Sequence, residues 1–138
     1  MVIFVAIVLF KSSWSSPNGA PVSQCQAMTP DHRVPPQQTK SPFVVETGAR
    51  IVGQGQMLQL IIMSSTTVDN YFKGFMIQAR TETSKIVGQF NVDGNELAIL
   101  INCETNNSTA THSSRVEKNT MILDWKAPDD FVGKVNFQ

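Results

Sequence analysis

The residues of this chain with chemistry to offer are two histidines, two serines beside one of them, an aspartate pair, two cysteines and two adjacent asparagines. Ser113 and Ser114 follow His112 directly, which sets hydroxyls beside a base. Neighbours on an extended chain point to opposite sides, and no Gly-x-Ser-x-Gly elbow is present, so a hydrolase is not expected. His32 and His112 could form a metal or haem pair, but neither has a cysteine or clustered carboxylates nearby in sequence. Each is read as an imidazole that bonds backbone and fixes a loop, and no metal-ligand spacing is found. Asp129 and Asp130 are read as solvated turn residues rather than a Ca²⁺ site. Asn106 and Asn107 open two overlapping glycosylation sequons, Asn-Asn-Ser and Asn-Ser-Thr, in a polar stretch. Crowding favours one glycan there over two. No residue is assigned to catalysis, and no cofactor is expected.

Val2 to Phe10 is an unbroken apolar run of nine residues, followed by Lys11 and a serine-rich stretch. Nine residues are too few to span a bilayer, for which about 20 are needed, but they match the core of a signal peptide. Residues 1–15 are therefore expected to be a leader cut after Ser15; a cut after Ala20 is disfavoured by Pro21. The competing reading is a buried N-terminal strand. In an oxidising compartment, two cysteines and no third point to one disulfide, Cys25–Cys103, with two buried free thiols as the alternative. Removing the leader leaves ten basic groups against eleven acidic, a net charge of −1. No Lys/Arg run attracts nucleic acid or anionic membrane. The 16% charged fraction is low and suits an extracellular surface rich in neutral polar side chains.

Positioning these residues falls to strands. Residues 16–42 hold Pro17, Pro21, Pro30, Pro35, Pro36 and Pro42, which forbid a continuous helix or central strand, so an extended segment pinned by Cys25 is expected. From residue 43 onward the pattern is strand and turn. Leu58, Leu60 and Ile62 share a face of one strand, as do Met121, Leu123 and Trp125 of another, which makes Trp125 a core residue. Phe72 to Arg80 reads as one strand with Phe75, Ile77 and Ala79 inward. Met76, Gln78 and Arg80 are then left as contact surface, with Arg80 either a strand-end ion pair or a ligand contact. Ile86 to Phe90 is a further strand, and Asp93-Gly94 a hairpin turn. In the strand Glu96 to Asn102, Leu97, Ile99 and Ile101 share a face that Cys103 continues, aiming its sulfur into the core. Residues 104–119 show no apolar period and read as a loop. Val132 to Phe137 closes the pattern. Seven or eight short strands without a helical period define an all-β antiparallel sandwich, residues 43–138. The chain stops at Gln138 just after a strand, so the sandwich is expected to lack its last strand.

Taken in order, several motifs resemble the reeler (reelin N-terminal) domain. These are Cys25-Gln-Ala-Met28-Thr-Pro30-Asp-His32, Ser41-Pro42-Phe43, Phe72-Lys-Gly-Phe75-Met-Ile-Gln-Ala-Arg80, Val87-Gly88-Gln-Phe90, Cys103, Thr111-His112-Ser113, Asp124-Trp125-Lys-Ala127-Pro128 and Val135-Asn-Phe137. The resemblance implies an immunoglobulin-like β-sandwich in secreted or membrane-tethered proteins, with Cys25 and Cys103 as its disulfide. It occurs in reelin, in F-spondin, in ferric-chelate-reductase-like membrane proteins and as stand-alone insect defence proteins. The leader and single domain make the chain look most like the last group. The implied function is a secreted innate-immune protein that binds microbial surface glycolipid or polysaccharide, such as lipopolysaccharide or glucan, and promotes an antimicrobial or haemocyte response. The alternatives are an extracellular adhesion module that binds a host protein, or the ectodomain piece of a longer membrane protein. Nothing in the chain supplies a haem module, so redox activity is not carried over.

Overall fold

The computed structural model describes residues 18–29, 35, 37–65 and 70–138. The leader at residues 1–15 and His32 lie outside the described residues. After a single 3-10 turn at Val22–Gln24 come the strands β1 (Phe43–Thr47), β2 (Met57–Ser64), β3 (Met76–Thr81) and β4 (Gln89–Asn91). They are followed by β5 (Ala98–Cys103), β6 (Thr105–His112), β7 (Thr120–Lys126) and β8 (Val135–Phe137). Two four-stranded sheets result, ordered β1-β2-β7-β4 and β5-β6-β3-β8. Every strand pair is antiparallel, so the molecule is an all-β sandwich.

The first sheet follows its alternation. Leu58 faces Trp125, Leu60 faces Leu123 and Ile62 faces Met121 across β2 and β7, all buried. Such cross-strand apolar pairs hold the register, because a one-residue slip would turn every one of them to solvent. The second sheet presents small residues to them: Ala79, Ala98 and Ala110, with Ile77. Large side chains opposite small ones let the layers interdigitate. Trp125 packs edge-on against Phe137 at 5.1 Å between centroids, and its indole N–H donates to the Val87 carbonyl at 3.3 Å. At one end Phe43, Phe72 and Phe75 form an edge-on series at 5.2 and 6.3 Å.

The second sheet departs from the sequence expectations. Strand β3 begins at Met76, and Phe72 instead makes an isolated bridge to Lys118. The parity expected for β5 is reversed: Ala98 and Leu100 face the sandwich core, while Leu97 and Ile99 are 39% and 36% exposed. The stretch read as a loop contains β6, the strand between β5 and β3, with Ser108 to His112 buried. Between Ile101–Thr109 and Cys103–Thr105 the register shifts, so β6 carries extra residues there. That bulge holds Asn106 and Asn107, and Asn107 has a φ of +55°.

The reversed parity of β5 and the burial of polar residues on β6 have one cause. Residues 18–29 lie across the outer face of this sheet as a strap. The Ala20 amide donates to Thr111 Oγ1 at 3.0 Å. Gly19, at a φ of +94°, sits so close that a Cβ would come within 2.9 Å of the His112 carbonyl oxygen. Cys25 and Cys103 are joined, with Cα atoms 5.5 Å apart. Cys103 therefore points away from the inter-sheet core, into a second cluster with Ile86, Met76 and Ile101. A sheet covered on both faces has no wet side to set an alternation. Closing a loop over a separation of 78 residues stabilises the fold by about 4 kcal/mol in the chain-entropy account.

Gly88 tests the inter-sheet packing. Its φ is +72°, and a Cβ there would stand 2.4 Å from the Trp125 ring. Gly88→Ala is expected to lower the unfolding free energy by about 1–3 kcal/mol, from overpacking plus a strained φ, as read by urea titration. An unchanged midpoint would contradict this packing.

Candidate functional site

Among the described residues, an accessible concavity lies where β4 approaches the bulge of β6. It is a cleft of about 260 Å³ with Met57, Phe90 and Leu100 supplying apolar surface. Around them stand the amides of Gln89, Asn91 and Asn107 and the charges of Asp93 and Lys126. Register explains the gathering: Lys126 on β7 is paired on one side with Met57 and on the other with Gln89. Asn91 is held in a turn in which the Asp93 amide donates to its Oδ1 at 2.7 Å. The bulge brings Asn107 to the cleft, and its amide donates to Asn102 Oδ1 at 2.8 Å. Lys126 lies 3.6 Å from Asp129 in a largely exposed pair, which leaves the ammonium free to reorient toward a ligand. Amides and charges around an apolar floor suit a polyhydroxylated ligand, which offers both hydroxyls and C–H faces.

The residues first singled out for chemistry are held elsewhere. His112 is buried in β6, with its Nδ1 accepting from the Phe75 amide at 3.1 Å. Ser113 donates to the Glu96 carbonyl at 2.6 Å, so its hydroxyl is engaged away from the imidazole. Among the described residues, no group of three or more His, Cys, Asp or Glu side chains could hold a metal. Asp129 and Asp130 are exposed. Of the sequon asparagines, Asn106 is exposed beside the cleft-lining Asn107.

Met76, Gln78 and Arg80 do not form a contact surface, which corrects the expectation. Gln78 is fully buried and Arg80 is 7% exposed, under the strap. Gln78 Nε2 and Arg80 Nη2 both donate to the Cys25 carbonyl, at 3.0 and 2.7 Å. Period-two reasoning put these side chains on the correct face but could not see that face covered.

Lys118 was not singled out by the sequence, where it sits in a polar run with no periodic signal. It is buried, and its Nζ donates to the carbonyls of Lys73, Ser114 and Val116 at 2.9, 2.8 and 2.8 Å. Three carbonyls converging on one ammonium pin the connections at that end of the sandwich.

The fold and its fastening define a class: a two-sheet antiparallel β-sandwich with a disulfide-bonded N-terminal strap. The chain belongs to the Reeler domain family, which it matches over residues 23–138. It is 37% identical to "Putative defense protein Hdd11" of Hyphantria cunea, over 99% of this chain and 83% of that protein. It is also 41% identical to "Putative ferric-chelate reductase 1 homolog" of Drosophila melanogaster, over 89% of this chain but only 20% of that longer protein. The crystal structure of the Reelin-N domain of F-spondin superposes with a TM-score of 0.63 at 17% identity, covering 84% of this chain and 80% of that one. That likeness establishes the fold.

Desolvation lowers the Lys118 pKa below 10.5. Between the folded value and 10.5, the unfolded chain binds the proton that the folded chain has released, so stability contributed here rises with pH across that window. The stability of the wild type relative to Lys118→Met should accordingly increase as pH is raised toward 10.5. Parallel urea titrations in the alkaline range check this, and a falling or flat difference would refute it.

Proposed function

We propose that this chain is a secreted innate-immune protein that binds microbial surface saccharide, of lipopolysaccharide or glucan, at the cleft between β4 and the β6 bulge. The observation that carries this reading is the cleft itself, with amides and a lysine arranged around apolar surface. The name of the Hyphantria cunea relative, which this chain matches along nearly all of its own length, supports a role in defence. The disulfide and the apolar run at Val2 to Phe10 support an extracellular location. The sequons support a single glycan, carried by either Asn106 or Asn107. In this reading the protein works by recognition, and the antimicrobial or haemocyte response follows from the bound surface.

A second reading draws on the reductase relative: the sandwich as the ectodomain portion of a longer membrane protein. Sequencing the full transcript separates the two, since a downstream transmembrane region belongs only to the second.

Recombinant protein secreted from insect cells should be retained by immobilised lipopolysaccharide or by β-glucan particles above an unrelated secreted sandwich. The double variant Gln89→Ala, Lys126→Ala should lose about tenfold in affinity, or about 1.4 kcal/mol, without a change in thermal midpoint. Absence of retention, or equal retention by the double variant, would sink the cleft assignment.

A further inference from the structure

The outer face of the second sheet holds a buried cation whose hydrogen bonds all go to neutral oxygens. Arg80 Nη2 donates to the carbonyls of Cys25 and Gln26 at 2.7 and 3.3 Å. Its Nε and Nη2 both reach Gln78 Oε1, at 2.9 and 2.7 Å. Among the described residues, the ion pairs are Lys73–Glu117, Lys126–Asp129 and Lys134–Glu82, and none includes Arg80. A desolvated guanidinium is matched best by a carboxylate or phosphate, whose oxygens take two parallel N–H bonds and whose charge balances its own. Here a main-chain carbonyl takes that place.

A second observation points to the same spot. Thr109 lies opposite Gln78 on the adjacent strand and is fully buried, and its Oγ1 has no hydrogen-bond partner. Buried hydroxyls are rarely left in this state. The face thus offers a row of three polar side chains, Arg80, Gln78 and Thr109. The donors of Gln78 and Arg80 converge on one oxygen, that of Cys25.

We propose that this row is a latched oxyanion site for phosphate or carboxylate groups, occupied in cis by the strap carbonyls and opened by reduction of Cys25–Cys103. A dithiol supplies the reducing equivalents. Its two S–H bonds break and it closes to a disulfide, losing two electrons. The Cys25 Sγ–Cys103 Sγ bond gains those electrons and breaks, and each sulfur takes one proton. What then holds the strap is hydrogen bonding such as that from the Ala20 amide to Thr111, and an incoming oxyanion competes directly for the donors on Cys25. The site is separate from the cleft, so either assignment can fail without the other.

The test is a set of ¹H–¹⁵N spectra of the oxidised protein and of the same protein reduced with dithiothreitol, each titrated with inorganic phosphate and, in a separate arm, with acetate. Reduction should leave the dispersion of the sandwich intact while the amides of residues 19–26 move to unstructured positions. Phosphate or acetate should then shift the Arg80 Nε and Gln78 Nε2 signals at a concentration at least tenfold lower than in the oxidised protein. The anion that saturates first identifies the preferred group. Cys25→Ser should show the same response without reductant, and Arg80→Gln should abolish it. Should Arg80→Gln fail to fold, Thr109→Val provides the second handle and should weaken the response several-fold. Strap signals unmoved by reduction, loss of the sandwich on reduction, or equal anion responses in the two states would each overturn the proposal.

Discussion

Arg80 donating to the carbonyls of Cys25 and Gln26 is the contact around which the second sheet is organised. It holds the N-terminal segment over a face made of Gln78, Thr109 and Thr111, side chains that would ordinarily meet water. With the strap in place Cys25 lies beside Cys103, and the disulfide fastens the cover covalently. Burying a guanidinium and an amide is costly unless their donors are used, and the strap backbone supplies acceptors for both. Covering this face also makes β6 possible as a strand between two others, because its row of Ser, Thr and Ala has a partner surface on each side.

The two sheets accordingly follow different rules. In the first, Leu58, Leu60 and Ile62 meet Trp125, Leu123 and Met121, and the outward residues remain in water. Its alternation is the ordinary consequence of one dry and one wet face. In the second, Ala79, Ala98 and Ala110 are inward and small because Trp125 and Leu60 fill the space from the other side. The outer face carries larger side chains, Ile99, Ile101 and Met76, beneath or beside the strap. Size and polarity therefore mislead about which face is which.

How much could be read in advance varied with this distinction. The strands β2 and β7, the burial of Trp125 and the pairing of the cysteines all follow from alternation or from counting two thiols in an oxidising compartment. The inward set on β5 was misjudged, because Leu97, Ile99 and Ile101 are uniformly large and apolar while the alternate set includes the small Ala98 and the polar Asn102, and Ala98 is the residue that fits beneath the first sheet. The candidate cleft had almost no local signal. Met57, Asn91, Asn107 and Lys126 come from four separate strands and their turns, and each alone looks like an ordinary surface residue. The Asn106-Asn107 pair was visible as a sequon but not as a bulge, since a bulge exists only relative to the strand opposite it.

By itself, the order of residues determined the all-β class, the strand positions of the first sheet, the family pattern and the involvement of Cys25 with Cys103. Each rests on period-two hydrophobicity, turn residues or motif order, which are properties of neighbours along the chain. Only the tertiary structure decided that Gln78 and Arg80 are buried, that Lys118 is caged by three carbonyls, and that β6 is a strand between two others. A polar side chain enters the interior when backbone satisfies its donors and acceptors; for Arg80 that backbone lies 55 residues away, and for Lys118 the third carbonyl, that of Lys73, lies 45 residues away and is added to the nearby ones of Ser114 and Val116. No local pattern carries that information.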